Sequence, residues 1–581
     1  MWLSFALYLV ALVVAGGEVF VDAIRGILRR DLLDERFLMS IASVGAMIVR
    51  EWSEGVAVMI FFLVGQTFEH YAVRRSRNSI RSLMDICPDE ARILKDGVET
   101  TVDAEDVEVD SIVVIRPGER VPVDSVVTFG SADVDTSSMT GEPLPVSVAL
   151  GSQLCSGYIV KNGVIHARAL RPASESSASR ILELVENANE NKSREEAFIT
   201  KFSRYYTPAV VIIALFVAFI PPIFSISSLQ SSIYTALTFL VISCPCALVI
   251  SVPMAFFGGI GGAASSGILF KGGNVFSKVA SVETVALDKT GTLTSGVFTV
   301  SDVKCLKISE AELLSLVASA EQGSNHPIAD CLKSVSKNII KPDSIEEMAG
   351  YGVISAIADN KIAVGNRELM HKLGVDTSQV NNISGTVFVS KNDSLVGILT
   401  ISDSIKAEAA SAISELKNLG VKRTAILSGD SSANVSRVAS AVGIDEIYPE
   451  LTPEEKYEKL TDLISSSKST MYVGDGINDS PAIALADVGV AMGSMGQDSA
   501  IEAADVVIMT DNLSKLGQAV KIARKTVNIS WQNIIFALGA KALILVLGLF
   551  GYANMWLAVF ADVGVAVLAI LNSMRALRVK K

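Results

Sequence analysis

Basic residues are in short supply. The 581-residue chain sets 50 Lys and Arg against 62 Asp and Glu, a net charge of −12. That balance excludes nucleic acid as a partner, because a phosphate backbone calls for a basic surface. Cysteine is scarce as well: six residues, scattered except for Cys244 and Cys246, too few and too spread for a disulfide framework. No G-x-x-x-x-G-K-[ST] segment occurs, which excludes a Walker-type ATPase. The N-terminal apolar run has neither a basic leader nor a small-residue cleavage site, so it reads as a membrane helix rather than a signal peptide.

Apolar residues, by contrast, are abundant. Half the chain is hydrophobic, mean hydropathy is +0.43, and yet 19 % of residues are charged, so the apolar content must be concentrated in segments. Residues 2–27 form the first such segment, with Gly16-Gly17 expected to let the helix kink. Stretches 37–49 and 55–72 follow around a turn at Arg50-Glu51-Trp52. Arg25, Arg29, Arg30 and Arg36, and then Arg74, Arg75, Arg77 and Arg81, put the intervening turn and the chain after residue 72 in the cytoplasm. Further spans are expected at 206–224, 232–256, 531–550 and 554–573. The second of these carries Ser243-Cys244-Pro245-Cys246 at its middle. Pro removes a backbone hydrogen bond, and membrane helices are broken in this way where they line a cavity. Two thiols flanking the break can bind a soft or borderline cation.

Between the spans the pattern changes. Residues 90–200 are short β-like runs with Pro and Gly, including Pro117-Gly118-Glu119-Arg120-Val121-Pro122-Val123-Asp124 and Thr140-Gly141-Glu142. From about 270 to 525, strands alternate with helical patterns, which predicts a doubly wound parallel sheet. Val285-Ala286-Leu287 leads into Asp288-Lys289-Thr290-Gly291-Thr292-Leu293-Thr294. An Asp at the carboxyl end of a buried strand lies where such sheets place their chemistry, and it can accept a phosphoryl group. Asp403, Ser428-Gly429-Asp430, Lys456 and Gly474-Asp475-Gly476-Ile477-Asn478-Asp479 follow, most just past a predicted strand and so on one rim. One of those strands is expected at Val396–Leu399, where the sheet resumes after an insert.

The Asp288 heptad, the Thr140-Gly141-Glu142 segment and Cys244-Pro245-Cys246, in this order, resemble the heavy-metal (1B) class of P-type ATPases over essentially the whole chain. The resemblance implies a multidomain membrane protein: an α-helical transmembrane bundle, a β-rich actuator domain, and a haloacid-dehalogenase-like α/β phosphorylation domain carrying an α+β nucleotide-binding insert. The implied divisions are 1–72 (three spans), 73–200 (actuator), 201–265 (spans with Cys-Pro-Cys), 266–297 and 397–525 (phosphorylation), 298–396 (nucleotide binding) and 526–581 (last two spans). It further implies that Asp288 is phosphorylated from ATP, with Ser428 and Lys456 screening charge. Asp475, Asp479, Asp288 and the Thr290 carbonyl would hold Mg²⁺, Asp430 would lie near the nucleotide, and Glu142 would position the hydrolytic water. Glu321, His326, Gly350, Gly352 and Asn366 would form the nucleotide site.

Cys244 and Cys246 would be transport ligands. Lys541 and Asp562, charges deep in the last two spans, resemble the zinc/cadmium/lead branch, with Asp562 a metal ligand, Lys541 its counter-ion and Glu69 on the exit path. The implied activity is ATP-driven export of Zn²⁺, Cd²⁺ or Pb²⁺ by a multi-pass plasma-membrane protein, expected as a monomer in lipid with its soluble domains in the cytoplasm. A copper(I) pump is the close alternative; a membrane-anchored phosphatase leaves Cys244-Pro245-Cys246 without a purpose, and a non-pumping metal sensor is the third. Seven spans are counted where the branch has eight, with no N-terminal Cys-x-x-Cys domain, which leaves either a dispensable first helix or a truncated chain.

Overall fold

The computed structural model describes every residue except 1, 29–34, 85–87, 89, 96, 141–143, 181–182, 184–192, 244–245, 325–326, 349, 379–384, 476–478, 494–497, 550–554 and 579–581. The chain forms two compact units. The first comprises residues 1–281, 505–510 and 518–581, and the second residues 282–504 and 511–517.

In the first unit the apolar segments are helices: α1 (Trp2–Leu28), α2 (Glu35–Ile48), α3 (Trp52–Met84), α4 (Arg194–Ile223), α5 (Leu229–Ile242), α6 (Cys246–Ala264), α7 (Ser514–Leu549) and α8 (Met555–Ser573). The runs Trp2–Arg25, Tyr205–Ile223, Leu229–Ala264, Ser514–Leu547 and Met555–Leu577 are long and apolar enough to cross a membrane, and Arg36–Ile48 and Trp52–Phe68 are shorter apolar helices. The single expected span at 232–256 covers two described helices, α5 and α6, on either side of residues 244–245, which lie outside the described residues. A helix cannot carry its hydrogen bonds through Pro245 unaided.

Helix α1 runs through Gly16 and Gly17 without interruption. What Gly16 supplies is room: a Cβ there would stand 2.8 Å from Met59 Cγ of α3. Gly45 of α2 does the same for Leu237 of α5, at 2.6 Å. In lipid, where apolar surface gives little drive for helices to associate, such close backbone approach supplies the packing.

Between α3 and α4, β-strands from Glu90 to Ala169 make a six-stranded sheet and a three-stranded one. Their core is apolar, with Val113, Val121, Val123, Val134 and Ile165 wholly buried. Asp124 is buried beside it and is fully paired: one oxygen accepts from Ser156 N at 2.9 Å and the other from the Ser177 hydroxyl at 2.8 Å. The Pro-Val-Asp segment thus ties strand Ser125–Phe129 to the chain leading out of the domain.

In the second unit, β1 (Thr284–Asp288), β2 (Arg423–Leu427), β3 (Glu446–Tyr448), β4 (Thr470–Gly474) and β5 (Val488–Met492) pair in parallel in the order β5-β4-β1-β2-β3. Almost every residue of β1, β2, β4 and β5 is buried, as expected of a sheet covered on both faces. A second, antiparallel sheet of six strands runs from Thr294–Cys305 through Ser394–Ile405 to Ser344–Met348, with helix Glu310–Ala320 packed on it.

Val396–Leu399 lies here and not in the parallel sheet. It is part of the twelve-residue strand Ser394–Ile405, paired with Thr294–Cys305. A short apolar run carries no mark of parallel or antiparallel pairing, so the sequence pattern alone does not assign its sheet.

Candidate active and transport sites

The parallel sheet assembles the first site at the carboxyl ends of its strands. Asp288 ends β1 opposite Leu427 of β2, so Ser428 follows alongside, and Gly474 ends β4 on the other flank with Asp475 next in sequence. Lys456, from helix Pro453–Ser465, bridges two carboxylates, donating to Asp288 Oδ1 at 2.7 Å and to Asp479 Oδ1 at 2.6 Å. Lys289 donates to Asp430 Oδ2 at 2.6 Å, and Ser428 Oγ accepts from Asp430 N at 3.2 Å. Burial first, then Asp479, pushes the Asp288 carboxyl up to about 6, although Lys456 pulls it down. The turn behind Asp288 reverses at Gly291, whose φ is +73°. A Cβ there would lie 2.5 Å from Asp475 Oδ2, so only Gly lets that carboxylate close over the turn. From behind, Lys406 donates to Gly291 O at 2.9 Å and pairs with Asp511, while Thr294 pairs with Asp403.

Among the described residues no three His, Cys, Asp or Glu side chains gather tightly enough to hold a metal ion by themselves. The donors on this rim still suit Mg²⁺, which takes one or two carboxylates and completes its shell with water and phosphate oxygens.

The second site is a cleft of about 260 Å³ in the antiparallel part, lined by Glu321, Glu347, Gly350, Gly352, Asn366 and Thr386 among others. Its glycines are sterically required. Gly352 has φ +139°, and a Cβ on it would lie 2.2 Å from Val364 O. Asn366 caps helix Arg367–Lys372 by accepting from Leu369 N and donates to Gly350 O, both at 2.9 Å. Glu321 is 5 % exposed. Burial and then Glu347 push its carboxyl up to about 7, against the pull of Lys333.

The third site is at the break between α5 and α6. Lys541 of α7 donates to Asp562 of α8 at 2.8 Å and to the Ile242 carbonyl at 3.3 Å. Ile242 is the last residue of α5, so the ammonium sits on the negative end of that helix. Both charged side chains are nearly buried, 7 % and 11 % exposed. At the C-terminal end of α8, Ser573 donates to Ser251 O of α6 and accepts from Asn533 of α7, so polar groups tie the three helices together.

Residues 85–186 match the P-type ATPase actuator domain, and residues 282–487 match haloacid dehalogenase-like hydrolases. The chain is 46 % identical over its full length, and over 84 % of the relative, to a cadmium, zinc and cobalt-transporting ATPase of Bacillus subtilis. It is 45 % identical to a zinc-transporting ATPase of Synechocystis, covering 98 % of this chain and 80 % of that one. A crystal structure of a zinc-transporting PIB-type ATPase in the E2·Pi state aligns over 99 % of this chain and 95 % of its own, at 35 % identity and a TM-score of 0.64. The chain belongs to the metal-transporting P-type ATPases.

It is therefore an integral membrane ATPase whose soluble parts hydrolyse ATP and whose helices carry the metal path. In this P-type ATPase the structure brings Asp288, Lys456, Asp479, Ser428 and Asp430 together, and separately Lys541 with Asp562. Glu142, His326 and Cys244 lie outside the described residues, and the side chains of Cys246 and Glu69 do as well.

Several residues of these sites were missed in the sequence. Lys289 and Lys406 sit next to recognised motifs, yet their partners are 141 and 105 residues away in the chain. Glu54 was open to detection, since it is an acid one turn into an apolar helix. It meets the Tyr234 hydroxyl of α5, while its Oε2 is buried without a partner among the described residues.

Proposed function

We propose that this ATPase exports divalent zinc and cadmium, and lead with them, from the cytosol across the plasma membrane, working as a monomer in lipid. The observation that carries the metal choice is the buried Lys541–Asp562 pair on the open end of α5. Asp562 offers a hard carboxylate to add to the two thiols that the Cys244-Pro245-Cys246 segment supplies. That mixed set suits a borderline divalent ion better than copper(I), which prefers sulfur alone. Two thiolates and a carboxylate also overcompensate one divalent charge, and Lys541 offsets the excess. When the cation leaves, Lys541 returns to Asp562 and keeps a buried carboxylate from standing unpaired. Glu69 and Glu54 are acids on α3 available to a departing cation.

The cycle follows from the rim. Asp288 attacks the γ-phosphate of ATP, and Lys456 and Ser428 neutralise and orient the transferred group. Asp288, Asp475 and the Thr290 carbonyl, with Asp479 in support, would hold Mg²⁺, which would supply charge neutralisation on the phosphates. Asp430 acts through Lys289, which it holds beside the nucleophile. Glu142 directs water onto the aspartyl phosphate. Glu321, His326, Gly350, Gly352 and Asn366 hold the nucleotide in the insert, residues 298–396, between the two parts of the phosphorylation domain, 266–297 and 397–525; residues 73–200 serve as the actuator.

A metal panel tests this reading. Purified protein should hydrolyse ATP faster with zinc, cadmium or lead, and cobalt belongs on the panel because the name of the Bacillus relative includes it. Stimulation by copper(I) alone would return the copper pump to first place.

A further inference from the structure

Tyr472 is a group that the phosphorylation cycle above leaves unused. It lies in the middle of β4, between β1 and β5, and is the largest wholly buried side chain among the described residues. Packing alone would be served as well by Phe. The phenol hydroxyl lies against the Asp479 carboxylate without forming a well-aligned hydrogen bond, and a buried hydroxyl so poorly satisfied is a cost to the fold. Its surroundings show where that hydroxyl points. It meets Asp479, the charges of Asp288 and Asp475 act on it from further along the rim, and the Lys456 ammonium stands 5.6 Å over the ring.

Charge on this rim depends on Lys456. One ammonium serves both Asp288 Oδ1 and Asp479 Oδ1. Asp479 is 3 % exposed, and its second oxygen is close enough to the strand end that a Cβ on Gly474 would stand 2.7 Å from it. When Asp288 carries a phosphoryl group, that group's oxygens claim the ammonium, and Asp479 loses its counter-charge inside the protein. A buried carboxylate left in that position needs another donor.

We propose that Tyr472 is a positioning residue for phosphoryl transfer, its hydroxyl donating to the Asp479 carboxylate as Lys456 shifts to the phosphoryl group. The role rests on the aspartyl-phosphate cycle proposed above. Tyr472 touches neither substrate nor the reacting atoms. It keeps Asp479 oriented, and so keeps Lys456 free to move.

Tyr472→Phe tests this, since it removes one oxygen and leaves the packing intact. The ligand-free variant in EDTA should melt at the wild-type temperature or higher, because the lost hydroxyl makes no well-aligned hydrogen bond while Lys456 still serves Asp479. Phosphoenzyme formation from labelled ATP, with Mg²⁺ and zinc, should be about tenfold slower, the worth of one hydrogen bond to a charged group. The KM for ATP should not change, because the nucleotide cleft lies in the other sheet. Wild-type phosphorylation by Tyr472→Phe would overturn the proposal. So would slower phosphorylation with a matching drop in melting temperature, which would make Tyr472 a packing residue. Absence of a phosphoenzyme in the unaltered chain would count against the pump itself, and this role would fall with it.

Discussion

Glu321 shows how one side chain can tie stability to pH. Its carboxyl is pushed from an ordinary 4.5 up to about 7 by burial and by Glu347, so the folded chain keeps a proton that the unfolded chain gives up. Its contribution is full below about 4.5 and is lost as pH rises towards 7. Glu321→Gln should abolish that slope and make the protein more stable than wild type at pH 8, as read from melting temperatures of the detergent-solubilised chain between pH 5 and 8. An unchanged slope would mean that the carboxyl titrates normally. Gly352 gives a second residue-scale expectation. With φ at +139° and Val364 O in the path of any Cβ, Gly352→Ala should cost at least about 1–3 kcal/mol. ATP affinity should fall as well, measurable by isothermal titration with a non-hydrolysable analogue.

At the scale of elements, we expect transport to depend on the C-terminal end of α5. Lys541 holds the carbonyl of Ile242, the last residue of α5, together with Asp562. Lys541→Ala removes both contacts, so we expect slower metal release and dephosphorylation with metal binding less affected. Chase experiments on the labelled phosphoenzyme would show it. If Asp562 is a metal ligand as proposed, Asp562→Ala should make zinc-stimulated turnover collapse; undiminished stimulation would reduce α8 to a packing element.

The break that Cys-Pro-Cys suggests in an apolar run falls on residues 244–245, which lie outside the described residues. The sequence revealed the strands that carry Asp288, Ser428 and Asp475, because buried parallel strands read as short apolar runs. It did not reveal the sheet to which Val396–Leu399 belongs, since pairing direction leaves no local trace. Nor did it reveal the contact role of Gly16, since a kink and a close helix crossing call for the same residue. The partners of Lys289 and Lys406 were hidden for another reason: folding brings them from far along the chain.

Across the whole molecule, the proposed phosphorylation site and the proposed metal site belong to different units. The phosphorylation rim and the nucleotide cleft belong to residues 282–504 and 511–517, whereas the Lys541–Asp562 pair belongs to the membrane helices of the other unit. A pump must make phosphorylation at the first place depend on metal at the second, and that dependence can be measured directly. Protein incubated with labelled ATP and Mg²⁺ should form an acid-stable, hydroxylamine-labile phosphoenzyme when zinc is present, and much less when zinc is chelated. Asp288→Asn should form none under either condition. Full labelling of Asp288→Asn, or labelling of the unaltered chain that ignores zinc, would contradict a metal-driven aspartyl-phosphate cycle.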